Sequence, residues 1–198
     1  ARSNEAKALG IKMGEPAFKI KSLIDKNKVN VFSTNFALYG DMSDRVMSVI
    51  REEVEVMEVY SIDEAFLDFS DLVDLDRALA IIKKVKQWTG IPISIGLAST
   101  KSLAKVANHI AKKHTKKGIF ILDDEDLIKR ALNVFPVEDL WGVGRKYAKR
   151  LKQSGIRTAL EFISTDEGWI RRNFSVNAVR LQKELKGVGA AGKKAGND

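Results

Sequence analysis

Asp63 and Glu64 form an acidic pair between two segments that are rich in β-branched and aromatic residues. Neighbouring side chains of a strand point to opposite faces, so the two carboxylates could share a ligand only at a turn or a strand end. At a hairpin turn they can converge, and they would then repel one another unless a cation lay between them. The pair is therefore a candidate metal site, although an acidic dipeptide in a turn more often serves only solubility.

Lys101 follows Ser99 and Thr100 at the predicted start of a helix. A cation in the first turn opposes the helix dipole, whereas the free amide groups there favour an anion such as a phosphate. Lys101 is thus a candidate phosphate ligand, and the alternative is a surface lysine that tolerates a small cost. Lys7, in the first predicted helix, carries no such signal by itself.

The segment DLWGVGRKYAKRLKQSGIRTALEFI, residues 139–163, has the pattern of a helix-hairpin-helix. Gly142 and Gly144 predict a tight turn, and the helix that follows is predicted over Arg145–Gln153. A turn of this kind presents backbone amides to a DNA phosphate, and basic residues beside it add counterion release. A solvated basic helix face is the alternative. The candidate DNA-binding residues are Gly142, Gly144, Arg145, Lys146 and Lys149.

Composition limits the possible chemistry. The chain has 198 residues, 44% of them hydrophobic, and a formal net charge of +8 with a pI near 9.6. The basic excess is clustered in residues 101–117 and 145–152, which favours a polyanionic partner. Because cysteine is absent and histidine occurs only twice, disulfides, thiolate sites and zinc sites are excluded, and carboxylates should hold any metal, which favours magnesium. No apolar run approaches the roughly 20 residues of a membrane helix.

Periodicity predicts an α+β chain in which helices cover a sheet. Strands are expected in residues 28–32, on both sides of a turn at the polar run SIDE, in the segment PISIGLA and in Gly118–Leu122. Helices are expected at the N-terminus, after Pro16, from Asp41 to about Glu52, from Asp71 or Asp74 through Trp88, from Lys101 to about Lys113, and in short pieces after Asp123.

Four segments, in this order, resemble motifs of the Y-family translesion DNA polymerases, and the resemblance covers about residues 1–187. They are ARSNEAKALGIKMG, YSIDEAFLDFS, SIGLASTKSLAKVANHIAKK and DLWGVGRKYAKRLKQSGI. The wording of NEAKALGIKMGEP and LYGDMSDRVMS is similar to the bacterial UmuC group of that family. The resemblance implies a ferredoxin-like palm, a small fingers domain and an all-α helix-hairpin-helix thumb. It divides the chain into partial fingers (1–32), palm (33–112), thumb (113–187) and a disordered tail (188–198).

The resemblance also implies error-prone, template-directed nucleotidyl transfer by two magnesium ions during DNA damage tolerance. Asp63 would bridge both ions and Glu64 would help to bind the catalytic one, while Lys7 and Lys101 would hold the incoming deoxynucleoside triphosphate. The turn at Gly142 would bind backbone phosphates of the primer–template duplex. A UmuD-like subunit, a recombinase filament and a sliding clamp are the implied protein partners, in the bacterial cytoplasm near the nucleoid and without a membrane.

The chain also departs from the family pattern. The family begins with a strand that carries a further metal-binding aspartate, and it continues after the thumb into a little-finger domain; neither is found in this sequence. The palm is therefore expected to lack a central strand, and this polypeptide is expected to be inactive or nearly so by itself. A non-catalytic DNA-binding module that uses the basic thumb is the alternative function.

Overall fold

A computed structural model of the chain describes residues 1–69 and 75–189. The predicted helix caps Asp71 and Asp74 and nearly all of the predicted tail lie outside these residues. The mixture of helices and strands confirms the α+β prediction. The strands are β1 (Met57–Ser61), β2 (Glu64–Leu67), β3 (Ile95–Ala98) and β4 (Ile119–Leu122). The helices are α1 (Asn4–Ala8), α2 (Lys21–Lys26), α3 (Phe36–Arg51), α4 (Leu75–Thr89), α5 (Lys101–His114), α6 (Glu125–Val134), α7 (Arg145–Gln153), α8 (Ala159–Ser164), α9 (Glu167–Asn173) and α10 (Val176–Leu185).

The chain divides into two compact units, residues 1–44 and residues 45–198. In the first unit, Ser3 caps α1 by accepting a hydrogen bond from the amide of Ala6 at 3.1 Å. A short 3-10 helix, Ala17–Ile20, leads directly into α2 and confirms the helix predicted after Pro16. The predicted finger, palm and thumb boundaries do not coincide with this division and stay predictions.

The strand predicted in residues 28–32 is wrong. The amide of Val29 donates to the carbonyl of Ile24 at 3.0 Å, so it closes the end of α2 instead of joining a sheet. Val31 and Phe32 are 63% and 84% exposed, so their hydrophobic side chains are not buried in a core within the described part of this unit. Helix α3 also begins earlier than predicted, because Asn35 Oδ1 accepts from the amide of Leu38 at 3.0 Å.

In the second unit, β1 and β2 form an antiparallel hairpin. Strands β3 and β4, which α5 connects along the chain, pair in parallel. The strands of residues 1–69 and 75–189 thus form two separate two-stranded sheets. Both strands of the predicted hairpin, β3, β4 and the extents of α5 and α7 confirm the sequence predictions. The single sheet of a ferredoxin-like palm stays a prediction.

Glycine at position 96 permits a close approach between β3 and α5. A Cβ at that position would lie 2.1 Å from the backbone nitrogen of Asn108 and 2.4 Å from the carbonyl oxygen of Ala104. Both atoms belong to the backbone of α5, so no side chain can turn aside. Gly96 therefore sets the distance between the strand and the helix that carries Lys101.

The larger hydrophobic core connects α5 and β4 with the helices that follow. Leu103, Leu122, Leu132, Phe162 and Leu185 are nearly or completely buried in this cluster. A second cluster packs the end of α3 against α4, and side chains of the β1–β2 hairpin lie against it. Among the helices that the structure describes, none combines the length and the apolar character that crossing a membrane requires.

Candidate active site and nucleic-acid interface

The two faces of the β1–β2 hairpin have different environments. Met57, Ala65 and Leu67 pack against the buried cluster at the end of α3. Strand alternation directs Glu64 and Phe66 to the opposite face, and Glu58 pairs with Phe66 across the ladder. The polar and aromatic side chains of the hairpin therefore share one face. This face contacts α5 through the ion pairs described below.

The acidic pair lies where the sequence predicted it, at the hairpin turn. Asp63 is an exposed turn residue, and Glu64 is the first residue of β2 and half-buried. The Ser61 hydroxyl donates to Asp63 Oδ1 at 2.8 Å, which holds that carboxylate against the end of β1. Asp63 is thus free of a cationic partner among the ion pairs of the described residues, whereas Glu64 has one.

Two lysines, one turn apart on α5, pair with two acids of the hairpin. Lys105 Nζ lies 2.7 Å from Glu64 Oε1, and this lysine side chain is only 20% exposed. Lys101 pairs with Glu58, and both of these side chains are largely exposed. Lys101 also lies over the ring of Phe66, 5.1 Å from its centroid. The predicted phosphate ligand is therefore next to the hairpin face that carries Glu64, and an anion would have to compete with Glu58 for it.

The start of α5 is capped from within the protein. Thr100 Oγ1 accepts from the amide of Leu103 at 3.3 Å, and Glu184 Oε2 accepts from the amide of Ser102 at 3.1 Å and from its hydroxyl at 2.5 Å. The expectation of free amides at this helix start is wrong for these two groups. A phosphate near Lys101 would be bound by side chains rather than by these amides.

Sequence reasoning missed Lys105, Glu58 and Glu184. The spacing of Lys101 and Lys105 is i, i+4, which places both on one face of α5, and strand alternation could have put Glu58 beside Glu64. Glu184 gave no local signal, because it is 82 residues from its partner Ser102.

The residues fit magnesium in kind. Two neighbouring carboxylates are hard oxygen ligands, and magnesium sites commonly combine one or two carboxylates with substrate phosphates and water. In the part of the chain that the structure describes, neither a histidine nor another acidic residue joins this pair to form a cluster of three metal ligands. Asp63 and Glu64 would therefore hold the ion together with ligands from elsewhere, and Glu64 would share its charge between the ion and Lys105.

Lys7, the other predicted nucleotide ligand, belongs to the first unit. It lies on α1, where its Nζ is 3.5 Å from Asn4 Oδ1 one turn earlier. Lys101 belongs to the second unit, and the two units are described separately. Its role as a triphosphate ligand stays a prediction.

The predicted glycine turn precedes α7. The amide of Val143 donates to the carbonyl of Leu140 at 3.0 Å, and Gly142 has a φ of +84°, which a residue with a side chain rarely adopts. Gly144 caps α7 without a side-chain hydrogen bond, and a Cβ there would meet no atom within 4 Å. The fold requires glycine at 142 but leaves space beside 144, so an external group can approach the backbone there.

The basic residues of α7 fall into two groups. Arg150 donates to the carbonyl of Asn173, and Lys152 pairs with Glu138. The other three basic residues lie beside the turn; they are Arg145, Lys146 and Lys149. Their side chains are exposed and form no ion pair within residues 1–69 and 75–189.

An open groove of about 720 Å³ runs along this surface and is lined in part by Gly144, Arg145 and Lys149. At its edge, the hydrogen bond from Lys152 holds the pKa of Glu138 below its ordinary value. The groove therefore combines exposed backbone with Arg145 and Lys149, which form no ion pair among the described residues, while Lys152 in its lining is paired with Glu138.

Elsewhere in this unit, burial lowers the pKa of His109, with a smaller contribution from Lys113.

Comparison with known proteins gives the family. The model described as the impB/mucB/samB family (IMS) matches residues 1–109. Protein UmuC of Salmonella typhimurium strain LT2 is 44% identical over 195 residues, which cover 94% of this chain and 46% of UmuC. DNA polymerase IV 1 of Bacillus subtilis strain 168 is 33% identical over 190 residues, covering 94% of this chain and 44% of the relative.

Among solved structures, the insertion ternary complex of Dbh DNA polymerase has a TM-score of 0.75 at 24% identity, over 93% of this chain and 54% of that one. This likeness shows that the chain shares the fold of the matching part of that structure. The chain spans about half the length of the curated relatives it matches. Since the family model matches more than half of this chain, the chain belongs to the impB/mucB/samB family of Y-family DNA polymerases.

Proposed function

We propose that this chain forms the catalytic and duplex-binding part of an error-prone, UmuC-like translesion DNA polymerase. The observation that carries the proposal is the β1–β2 hairpin. Its turn carries the acidic pair Asp63 and Glu64, and two lysines of α5 form ion pairs with acids of the same hairpin. Carboxylates for a metal and cations for phosphates are the groups that phosphoryl transfer requires.

Magnesium, when bound, would activate the primer 3′-hydroxyl and stabilise the negative charge that develops during the transfer. Asp63 and Glu64 would hold it, and Ser61 would orient the Asp63 carboxylate through its hydroxyl. Lys101 would break its ion pair with Glu58 and bind the triphosphate instead. Lys7 would be the second lysine ligand of the triphosphate. The residues of this chain would thus bind and orient both reactants.

The helix-hairpin-helix of the thumb would bind the primer–template duplex. Gly142 and Gly144 support this proposal because a Cβ at either position would meet no atom within 4 Å. Arg145, Lys146 and Lys149 support it because their exposed side chains form no ion pair with the described residues. Binding at phosphates positions a duplex without reading its sequence, as a polymerase that extends any primer requires. A ferredoxin-like palm, the UmuD-like, recombinase and clamp partners, and a place near the bacterial nucleoid belong to the same proposal.

The test is a chimera in which this chain replaces the matching segment of the Bacillus DNA polymerase IV 1, a relative whose name states the activity. Purified chimera is given primer–template, deoxynucleoside triphosphates and magnesium. We expect extension of the primer, and we expect Asp63→Asn to abolish it while leaving duplex affinity nearly unchanged. A chimera that binds the duplex and never extends the primer contradicts the catalytic proposal.

The exposed cations of α7 favour a second candidate, a DNA-binding module without chemistry. It is tested with the 198-residue chain alone, by fluorescence anisotropy of a labelled duplex over a range of salt concentrations. The double variant Arg145→Gln, Lys149→Gln should weaken binding and reduce the salt slope by about 0.9 for each lost phosphate contact. Lys152→Gln is the matched control, because Lys152 is already paired with Glu138. Equal effects of the variant and the control would remove α7 from the DNA interface.

A further inference from the structure

Trp141, the residue immediately before the glycine turn, contacts the β1–β2 hairpin. Its ring lies edge-on to Tyr60 with centroids 5.2 Å apart, and its indole N–H donates to the Tyr60 hydroxyl at 2.9 Å. It also packs against Phe66 at 5.4 Å. One side chain therefore joins the turn that would bind DNA to both strands of the hairpin that carries the acidic pair.

Lys105 completes the junction. Its Nζ lies 4.9 Å from the centroid of Tyr60 and 5.6 Å from that of Trp141, within the range of cation–π attraction. The same Nζ forms the ion pair with Glu64. The aromatic rings thus hold the lysine, and the lysine holds one of the two candidate metal ligands.

Tyr60 lies at an irregularity in the pairing of the hairpin strands. Val59 pairs with Ala65, but the next pair is Ser61 with Glu64, so Tyr60 has no partner across the ladder. An extra residue of this kind bends the strand locally. The bulge lies two residues before the turn, and its Tyr60 contacts Phe66, Trp141 and Lys105, so the tyrosine shares the polar and aromatic face of the hairpin.

We propose that Trp141 is a positioning residue that fixes the DNA-binding turn relative to the Asp63–Glu64 hairpin. The proposal rests on the proposed function, since it assigns a purpose to the distance between the duplex and the acidic pair. Trp141 acts through Tyr60 and Lys105, so a duplex bound at Gly142–Gly144 has its primer end held at a fixed distance from Glu64.

The direct test measures that distance by pulsed electron paramagnetic resonance in the full 198-residue chain. The chain has no cysteine, so Val59→Cys and Ser154→Cys supply the only two sites for spin labels, one on the hairpin and one at the end of α7. We expect a narrow distance distribution in the parent protein and a broader or shifted one with Trp141→Leu. Trp88→Leu is the matched control, because Trp88 lies on α4 and is 61% exposed.

Milder variants separate positioning from folding. Tyr60→Phe removes only the hydroxyl that accepts the indole N–H, and Trp141→Phe keeps an aromatic ring without the donor. If circular dichroism shows that Trp141→Leu does not fold, these two variants decide, and each should broaden the distribution. Distributions unchanged from the parent in folded variants overturn the proposal.

A DNA arm distinguishes failure of this inference from failure of the proposed function. Trp141→Leu should raise the Kd for the duplex by about two- to tenfold, because binding must then order the freed turn at a cost of up to the energy that the aromatic pair supplied in the parent protein. The salt slope should stay unchanged because no charge is lost. If Arg145→Gln, Lys149→Gln does not weaken binding, the proposed DNA-binding role fails and the positioning role fails with it. If that variant weakens binding but Trp141→Leu alters neither distance nor Kd, only the positioning role fails.

Discussion

Replacing Gly96 by alanine should separate α5 from β3 and destabilise the larger unit. The new Cβ would lie 2.1, 2.4 and 2.7 Å from backbone atoms of Asn108, Ala104 and Ala107, whereas ordinary contacts are 3.4 Å or longer. Because only backbone atoms are involved, the whole helix must retreat by roughly 1 Å from a close-packed interface. Overpacking of this kind typically costs about 1–3 kcal/mol, and we expect the upper end of that range.

The assay is urea unfolding followed by far-ultraviolet circular dichroism. Gly96→Ala should lower the unfolding midpoint by an amount equivalent to about 3 kcal/mol. Gly40→Ala is the matched control, since Gly40 lies within α3 and a Cβ there meets no atom within 4 Å; it should be neutral or stabilise by about 0.5–1 kcal/mol. A midpoint for Gly96→Ala equal to the parent would refute the close approach of strand and helix.

Three further predictions concern single side chains. The pKa of His109 is held below its ordinary value of 6.5, mainly by burial. As the pH falls below about 7, the unfolded chain therefore takes up a proton before the folded one, and the free energy of unfolding should decrease. His109→Gln should flatten this pH dependence in urea titrations at several pH values, and an unchanged pH dependence would contradict the role of His109. Gln182, which is 1% exposed, donates to two backbone carbonyls near the end of α8, so Gln182→Leu should destabilise by about 1–3 kcal/mol, and a neutral effect in thermal unfolding would contradict that reading. Glu58→Gln should change the free energy of unfolding by less than about 1 kcal/mol, because the ion pair of Glu58 with Lys101 is exposed. It should raise the affinity for a deoxynucleoside triphosphate in calorimetric titrations, because Lys101 loses its competing partner. Weaker or equal binding would show that Lys101 is not the phosphate ligand.

Local sequence signals predicted the elements that carry the candidate site. The turn between β1 and β2 falls at Ile62 and Asp63, within the run SIDE, whose polar residues interrupt two apolar segments. Helix α7 spans Arg145–Gln153 as predicted, because glycines and a polar residue delimit it on both sides. In these regions, propensity, pattern and tertiary packing favour the same structure.

The misses come from interactions that the local pattern does not contain. Residues 28–32 have the composition of a strand, but the amide of Val29 closes the preceding helix instead. Glu184 caps α5 through contacts 82 residues apart in the sequence, so the phosphate site expected at free amides could not be judged from the chain alone. The contact between Trp141 and Tyr60, 81 residues apart, is of the same long-range kind.

The central claim is that Asp63 and Glu64 provide carboxylates for magnesium-dependent nucleotidyl transfer. The measurement that tests it most directly compares primer extension by the polymerase chimera carrying Asp63→Asn with extension by the chimera carrying Asp123→Asn, an exposed acid between β4 and α6. We predict that Asp63→Asn abolishes extension with duplex affinity retained, and that Asp123→Asn extends the primer like the parent chimera. Equal extension by the two variants would contradict the assignment of the hairpin as the active site.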